Sequence, residues 1–401
     1  MEKQLVPSLR FPSNIDNWDK VILEDITSKI SDGIHSTPKY DLNGDYYFVN
    51  GNNLVDGIIT INENTKKLSL EEFKKHKRSL NKNSILLSIN GTIGNLAFYN
   101  NEKIVLGKSA CYINFHKDLP IDFYYYILQT PRIKKYILSE LTGSTIMNLS
   151  LRTIKSTKLI VPSLSEQQKI ASFLTDVDLV ITKLTKKKTL LEQYKKGVMQ
   201  NIFNQELSFK DDEGNEFPQW RTGRIDEFGY FYYGKSAPKF SLSKDAPTPC
   251  VRYGELYSTY DEVVEKIQSY TNIEPSNLKF SKGGEVLVPR VGEDPLDFAN
   301  CSYLPIPNVA IGEMISVYNT KENGLFMTYY FNANLKHKFA RVVEGANVSN
   351  LYFKYLEDIE IEIPSIEEQT KIVSFLSDIT RKIDALNIKT FKKGLLQQMF
   401  V

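Results

Sequence analysis

The segment PSLSEQQKIASFL at residues 162–174 returns as PSIEEQTKIVSFL at residues 364–376, identical at nine of thirteen positions and displaced by 202 residues in a chain of 401. Sliding the chain by the same interval aligns Gly143 with Gly345, Asn148 with Asn350 and Leu149 with Leu351. Trp18 falls on Trp220, each after a Phe-Pro pair, Phe11-Pro12 and Phe217-Pro218. Both copies close on a related string, YKKGVMQNIF (194–203) and FKKGLLQQMF (391–400). Solenoid repeats have periods of about 20–50 residues, far too short for this interval. The duplicated unit is therefore a whole domain plus a connecting segment, which also suits a chain too long for one core.

Each copy has two textures. Its first part is rich in Tyr, Phe, Val, Ile, Asn and Gly in short alternating runs such as SILLSINGTIGNLAFY and GEVLVPRVGED. These predict strands joined by tight turns. FYYYILQTPRIKKYIL (123–138) predicts a helix broken near Pro131. The second part is helical. Apolar residues fall at Ile170, Leu174, Val177, Ile181, Leu184, Leu191, Val198 and Ile202, with Lys188 and Lys195 in two further seam positions. Steps alternating between four and three make a heptad seam. Pro162 ends the preceding strand, Ser165 is placed to cap the helix, and Gln168 completes a capping box. The second seam runs Ile372, Leu376, Ile379, Ile383 and Leu386, with Ser365 and Glu368 as cap and box.

A helix from 165 to 196 would be roughly 48 Å long and would carry one apolar stripe that needs a partner. The second copy supplies one, lying antiparallel. The other arrangement is that each helix packs on its own globule. The expected fold class is thus α+β: a tandem duplication of a mixed α/β domain followed by a long helix, the two helices pairing as an antiparallel coiled coil. Boundaries fall at 1–162 and 206–363 for the domains, and 163–205 and 364–401 for the helices. Between Asp378 and Lys392 the second copy is five residues shorter than between Asp176 and Lys195. A break or loop in the second helix near Asn387 is the expected consequence.

Composition narrows the function. A net charge of +2 argues against a protein that coats nucleic acid indiscriminately, while leaving room for local basic patches. Three cysteines, Cys111, Cys250 and Cys301, form no CxxC pair and fit a reducing cytoplasm. No signal-like h-region and no run of 18 apolar residues occurs, so neither secretion nor a membrane span is expected. Four scattered histidines give no metal-ligand spacing, and no metal or cofactor is expected. GYFYYGKS (229–236) satisfies the P-loop pattern G-x-x-x-x-G-K-[ST]. Its interior of Tyr, Phe, Tyr and Tyr prefers a strand, and Pro238 follows closely, so nucleotide binding is not expected. No Asn/Asp-Pro-Pro-aromatic motif, GxGxxG after a strand, HExxH or PD…ExK arrangement occurs. The chain reads as a non-enzyme.

The arrangement resembles the specificity subunits of Type I restriction-modification systems. The likeness covers essentially the whole chain and rests on IVPSLSEQQKIASFLTDVD with LLEQYKKGVMQNIF, and on IEIPSIEEQTKIVSFLSDI with FKKGLLQQMF. The resemblance implies two target recognition domains, each reading half of an asymmetric, split DNA site. It also implies two helices that set the half-site spacing and dock two methyltransferase subunits, through which restriction subunits assemble. Such a subunit is not catalytic and works in the cytoplasm of a bacterium or archaeon. The shortened second helix departs from the family pattern. The competing reading is a coiled-coil scaffold whose two globules bind proteins or glycans. Duplicated domains presenting two similar surfaces suit duplex DNA independently, since half-sites about 34 Å apart, one helical turn, are common.

Candidate DNA contacts are residue types that read base edges or hold phosphates, placed in the loops. In the first copy these are His35, Ser36, Lys39, Asn90, Thr92, Lys108, Ser144, Thr145 and Asn148. In the second they are Lys235, Ser236, Lys239, Arg252, Tyr253, Arg290 and Asn347. Arg290, between Pro289 and Gly292, is the foremost of them. The basic runs KKHKRSLNK (74–82) and Lys186–Lys188 are candidates for phosphate or partner contact, or solvated helix faces. Helix seam and partner docking are assigned to Ile170, Phe173, Leu174, Val177, Ile181 and Leu184, and to Ile372, Phe375, Leu376, Ile379 and Ile383. Gly197 and Gly394 each follow a Lys-Lys pair, where glycine ends a helix or admits a close neighbour.

Overall fold

The computed structural model describes residues 10–11, 17–143, 147–345 and 349–399, with side chains as far as residue 391. The described residues fall into two compact units, one within Met1–Thr185 and Ile388–Val401, the other within Lys186–Asn387.

In the first unit, the run SILLS forms the buried strand Ser84–Ser88. Its alternation feeds two cores at once: Ile85 and Leu87 join one apolar cluster, and Leu86 joins another on the opposite face. It lies inside a four-stranded antiparallel sheet ordered Thr27–Asp32, Ala110–Phe115, Ser84–Ser88, Leu96–Phe98. A three-stranded sheet, Lys67–Leu68, Tyr46–Val49, Ile104–Leu106, stands beside it. Helices Ile121–Leu128 and Pro131–Ser139 follow, split as expected at Pro131, which occupies the first turn of the second behind the Thr130 cap. Strand Asp19–Ile22 pairs with Lys158–Val161, so the domain's beginning and end meet just before Pro162.

The second unit repeats this order strand for strand. Its four-stranded sheet runs Gly229–Tyr233, Ile315–Thr320, Glu285–Pro289, Ser302–Leu304. Its three-stranded sheet runs Ser269–Thr271, Thr248–Val251, Ala310–Ile311, and Arg221–Arg224 closes on Glu360–Ile363. Val286 and Val288 face one cluster and Leu287 the other, as Ile85, Leu87 and Leu86 do. Trp18 packs edge-on against Phe123, and Trp220 against Phe326. The matching of Phe-Pro pairs does not hold. Phe11 packs on Phe173, and the residue in that place on Phe375 is Phe209, not Phe217. A short bridged turn, Lys210 to Glu216, is inserted between Phe209 and Trp220 and carries Phe217 away.

The long helices are Leu164–Phe203 and Ile366–Met399. The first starts at Leu164, so Ser165 lies inside its first turn and is not the cap. Position 163 matches 365, and in the second copy Ser365 Oγ does accept the Glu368 N–H. The expected break near Asn387 is absent: the second helix runs unbroken through it. The sequence from Asp378 to Phe391 contains no Pro or Gly, so losing five residues shortens the helix by about 7.5 Å without interrupting it. Gly197 and Gly394 both lie within helix, and neither ends one.

Burial follows the seams. Ile170, Leu174, Val177, Ile372, Leu376, Ile379, Ile383 and Leu386 are buried, and Ile181, Leu184, Phe173 and Phe375 half-buried. The first turns of each helix pack into the domain they follow: Ile170 and Leu174 with Leu159 and Val161, Ile372 and Leu376 with Ile361 and Ile363. Within the second unit, residues 188–203 of the first helix run antiparallel to residues 372–387 of the second, along a groove of about 990 Å³ shared with the domain. There Phe203 packs edge-on against Phe326 and Tyr330.

Candidate nucleic-acid interface

In the first unit, four distant segments are drawn to the ends of the central strands. The loop at 33–40 leaves strand Thr27–Asp32, and Ile34 N–H donates to Leu106 O at 2.7 Å. The chain runs so close there that a Cβ on Gly33 would strike the Leu106 carbonyl, which explains the glycine. The loop at 88–95 meets two further segments: Ile89 N–H donates to Ser109 O at 2.9 Å, and Asn90 bridges Asn148. Asn90 Nδ2 reaches Lys108 O at 3.4 Å. His35, Ser36, Lys39, Thr92 and Lys108 are exposed, and Asn90 and Asn148 half-buried. His35 Nε2 lies 2.7 Å from Asp32 Oδ2, and Lys39 N–H donates to Glu72 Oε2 at 3.0 Å. Arg78, from the basic run, donates to Gly33 O at 2.9 Å and ties that run to the same loop. Ser144 and Thr145 lie outside the described residues.

The second unit builds the same junction from different residues. A Cβ on Gly234 would strike the Gly312 carbonyl, the counterpart of the Gly33 approach. Lys235 N–H donates to Ile311 O at 2.8 Å, and Glu313 N–H to Ser236 O at 2.9 Å. Arg252 Nε donates to Ala237 O at 3.1 Å, and Arg290 N–H to Met314 O at 3.0 Å. Val291 pairs with Asn350, as Asn90 bridges Asn148. Ser236, Ala237 and Met314 all adopt positive φ (64°, 61° and 65°), costly for residues with a Cβ and typical of over-determined functional loops. Lys235 and Lys239 are exposed, while Ser236, Arg252, Tyr253 and Arg290 are half-buried. Tyr253 leans on the apolar cluster that holds Leu287. Asn347 lies outside the described residues. The P-loop-like string is a strand through Tyr233, and no helix starts at Lys235.

Two features had no signal in the sequence. The Arg290 guanidinium lies 4.4 Å from the Tyr233 ring centre and 5.1 Å from that of Tyr352. Lys195, a seam lysine, is buried and donates to Glu262 Oε1 at 2.6 Å, with its ammonium 5.2 Å from the Tyr329 ring centre. By contrast, Lys186 and Lys187 are exposed, and Lys188 sits 3.6 Å from Glu192 one turn on. The cysteines are buried, and burial pushes the Cys250 thiol up to about 11, which makes it a poor nucleophile. Among the described residues no group of three or more metal-ligating side chains occurs, and no helix is long and apolar enough to cross a membrane.

The family described as Type I restriction modification DNA specificity domain matches the chain twice, at residues 15–193 and 218–392. A protein of Methanocaldococcus jannaschii, provisionally named the MjaX specificity subunit of a type I restriction enzyme, is 27% identical over 405 residues, covering 96% of this chain and 91% of its own. The MjaVIII specificity subunit from the same organism is 23% identical over 334 residues, covering 76% of this chain and 74% of its own. Among solved structures, the S subunit of a Type-I restriction-modification system from M. genitalium superposes with a TM-score of 0.62 at 16% identity, covering 99% of this chain and 98% of its own. A chain from a structure on complex assembly and conformational transition of the type I R-M system gives 0.54 at 16% identity, covering 98% and 97%.

Proposed function

The chain belongs to the Type I restriction modification DNA specificity family, and we infer from that membership and from its paired loop clusters that it is the sequence-reading subunit of a type I complex. It has two recognition domains and is not itself an enzyme. It binds double-stranded DNA and assembles with two modification subunits, through which restriction subunits join. Methylation and ATP-dependent cleavage belong to those partners. Domains at 1–162 and 206–363 each read one half of an asymmetric bipartite site. The helices at 163–205 and 364–401 hold the interval between half-sites and dock the modification subunits. The complex works in the cytoplasm.

The observation that carries this reading is the repetition of one junction on two diverged surfaces. In both domains, loops from the same strand ends converge through the same backbone bonds and the same close-packed glycine. The side chains they present differ: His35, Ser36, Lys39, Asn90, Thr92, Lys108 and Asn148 on one, Lys235, Ser236, Lys239, Arg252, Tyr253 and Arg290 on the other. A constant scaffold with variable donors and acceptors is what reading two different base sequences requires.

The test is binding of duplex DNA by the chain assembled with its modification subunits, across a salt series. Sequence-specific protection is expected, with affinity falling log-linearly with salt as phosphate counterions are released. No footprint on any duplex, with the partners present, would overturn the reading.

A further inference from the structure

Four arginines of this chain are half-buried: Arg10, Arg78, Arg252 and Arg290. Three of them place at least one guanidinium nitrogen on an acceptor within the protein. Arg10 grips the Glu166 carboxylate with two nitrogens at 2.9 and 2.6 Å, Arg78 donates to Gly33 O, and Arg252 to Ala237 O. Arg290 is the exception. Its Nε, like that of Arg78, is enclosed and has no hydrogen-bond partner, but unlike Arg78 it places no terminal nitrogen on an acceptor, and no carboxylate pairs with it, among the described residues. A buried polar nitrogen left open in this way requires an explanation.

The side chain is nonetheless held firmly. Its backbone is fixed on both sides, N–H to Met314 O at 3.0 Å and C=O from the Leu351 N–H at 2.9 Å. The rings of Tyr233 and Tyr352 hold the planar cation by its π faces. Tyr233 is braced in turn by Phe353, at 4.4 Å between ring centres, and Phe353 stacks on Phe231. Aromatic faces fix the plane of a guanidinium without using its hydrogen-bond donors. With Nε enclosed, the two terminal nitrogens, which have no partner among the described residues, are the donors left for something outside the chain.

The first domain has no such device. The backbone bond from Leu351 N–H to Arg290 O is matched there by Leu149 N–H to Ile89 O, so buried Ile89 occupies the place of Arg290. Asp32 and Ser150 stand at the places of Tyr233 and Tyr352, Asp32 facing Cys111 as Tyr233 faces Ser316. Cation and rings are present together in one domain and absent together from the other.

We propose that Arg290 reads a guanine in the half-site of the second domain, and that Tyr233 and Tyr352 are positioning residues that hold its fork for that base edge. The inference rests on the DNA-reading function above. Guanine offers O6 and N7 side by side in the major groove, and a planar fork of fixed orientation matches them bidentately. A phosphate accepts from many directions and does not need the plane fixed.

The experiment uses the chain assembled with its modification subunits and a pool of duplexes randomised across the sequence that the intact complex methylates. Arg290→Ala should lower the preference for guanine at one position of one half-site by roughly tenfold to a hundredfold. Arg290→Lys, which keeps the charge and the fold but not the fork, should relax the same position while overall binding survives. Tyr352→Leu and Tyr233→Leu should relax that position too, and Tyr352→Phe and Tyr233→Phe, which keep the ring face, should restore it. The proposal is overturned if the leucine variants slow methylation at all sequences equally, or if neither Arg290 variant alters any base preference. Absence of sequence-specific methylation by the intact complex would instead overturn the DNA-reading function itself.

Discussion

Lys195 shows at the residue scale how the helix frame is fastened to the second domain. A lysine in an apolar seam is costly unless paired, and this one finds Glu262 at 2.6 Å and the face of Tyr329. Asp384 nearby feels the charge of Lys195 together with those of Glu265, Asp261 and Glu262. Lys195→Met keeps the packing and removes the cation. It should destabilise the protein by about 1–3 kcal/mol, less than for a sealed pair because Glu262 keeps 26% of its side-chain exposure. Chemical denaturation measures this directly. Asp384 provides a pH test of the same cluster. Burial, then the charges of Glu265 and Asp261, raise its carboxyl above the ordinary range, against the opposing pull of Lys195. A raised acid binds its proton more tightly in the folded state, so its ionisation erodes stability as pH rises through the carboxylate range. Asp384→Asn should therefore raise the melting temperature at pH 7, and the gain should vanish at pH values where the wild-type carboxyl is protonated in both states. A gain that is the same at every pH would mean that ionisation of Asp384 is not the cause.

At the scale of elements, the duplicated Glu-Gln pair works as a fastening at each helix start. Gln167 Nε2 donates to Pro162 O at 2.9 Å and Gln369 Nε2 to Pro364 O at 3.0 Å, tying the helix to the strand before it. The second copy is the more fully bonded. Gln369 also donates to Glu322 at 2.7 Å and accepts the Asn323 N–H at 2.9 Å, whereas the Gln167 Oε1 is buried without a partner. Gln369→Leu leaves more groups unpaired, so it should cost about 1–3 kcal/mol, and Gln167→Leu clearly less. Equal losses in denaturation would show that the extra bonds are not worth their count. These elements also mark what the sequence made legible. The repeat, the split at Pro131 and both seams were readable because periodicity and proline act locally. The cap position is not legible locally, because Ser163 and Ser165 both offer hydroxyls and only the register against Ser365 separates them. No break occurs at Asn387, because a deletion changes seam phase without changing helix propensity. Phe209 and the rings around Arg290 were invisible because their partners, Phe375, Tyr233 and Tyr352, are far away in sequence.

For the whole molecule, the question is whether each reader is a separable cassette. In the first copy, Asp19 pairs with Val161, so the chain enters and leaves the domain side by side. Residues just outside that strand pair belong with the helix: Arg10 grips Glu166, and Phe11 packs on Phe173. An exchange of residues 19–161 for the equivalent domain of another specificity subunit leaves both contacts intact, while an exchange of 1–162 discards them. The shorter exchange should give a stable chain whose complex methylates a site altered in one half and unchanged in the other, as read by mapping methylated bases across a host genome. The longer exchange should alter the same half but lower the melting temperature, because Glu166 would stay buried without its arginine. Restoring Arg and Phe at positions 10 and 11 should recover the loss. If the shorter exchange altered both halves, the two domains would not read independently, and the duplication would have to serve something other than two separate readings.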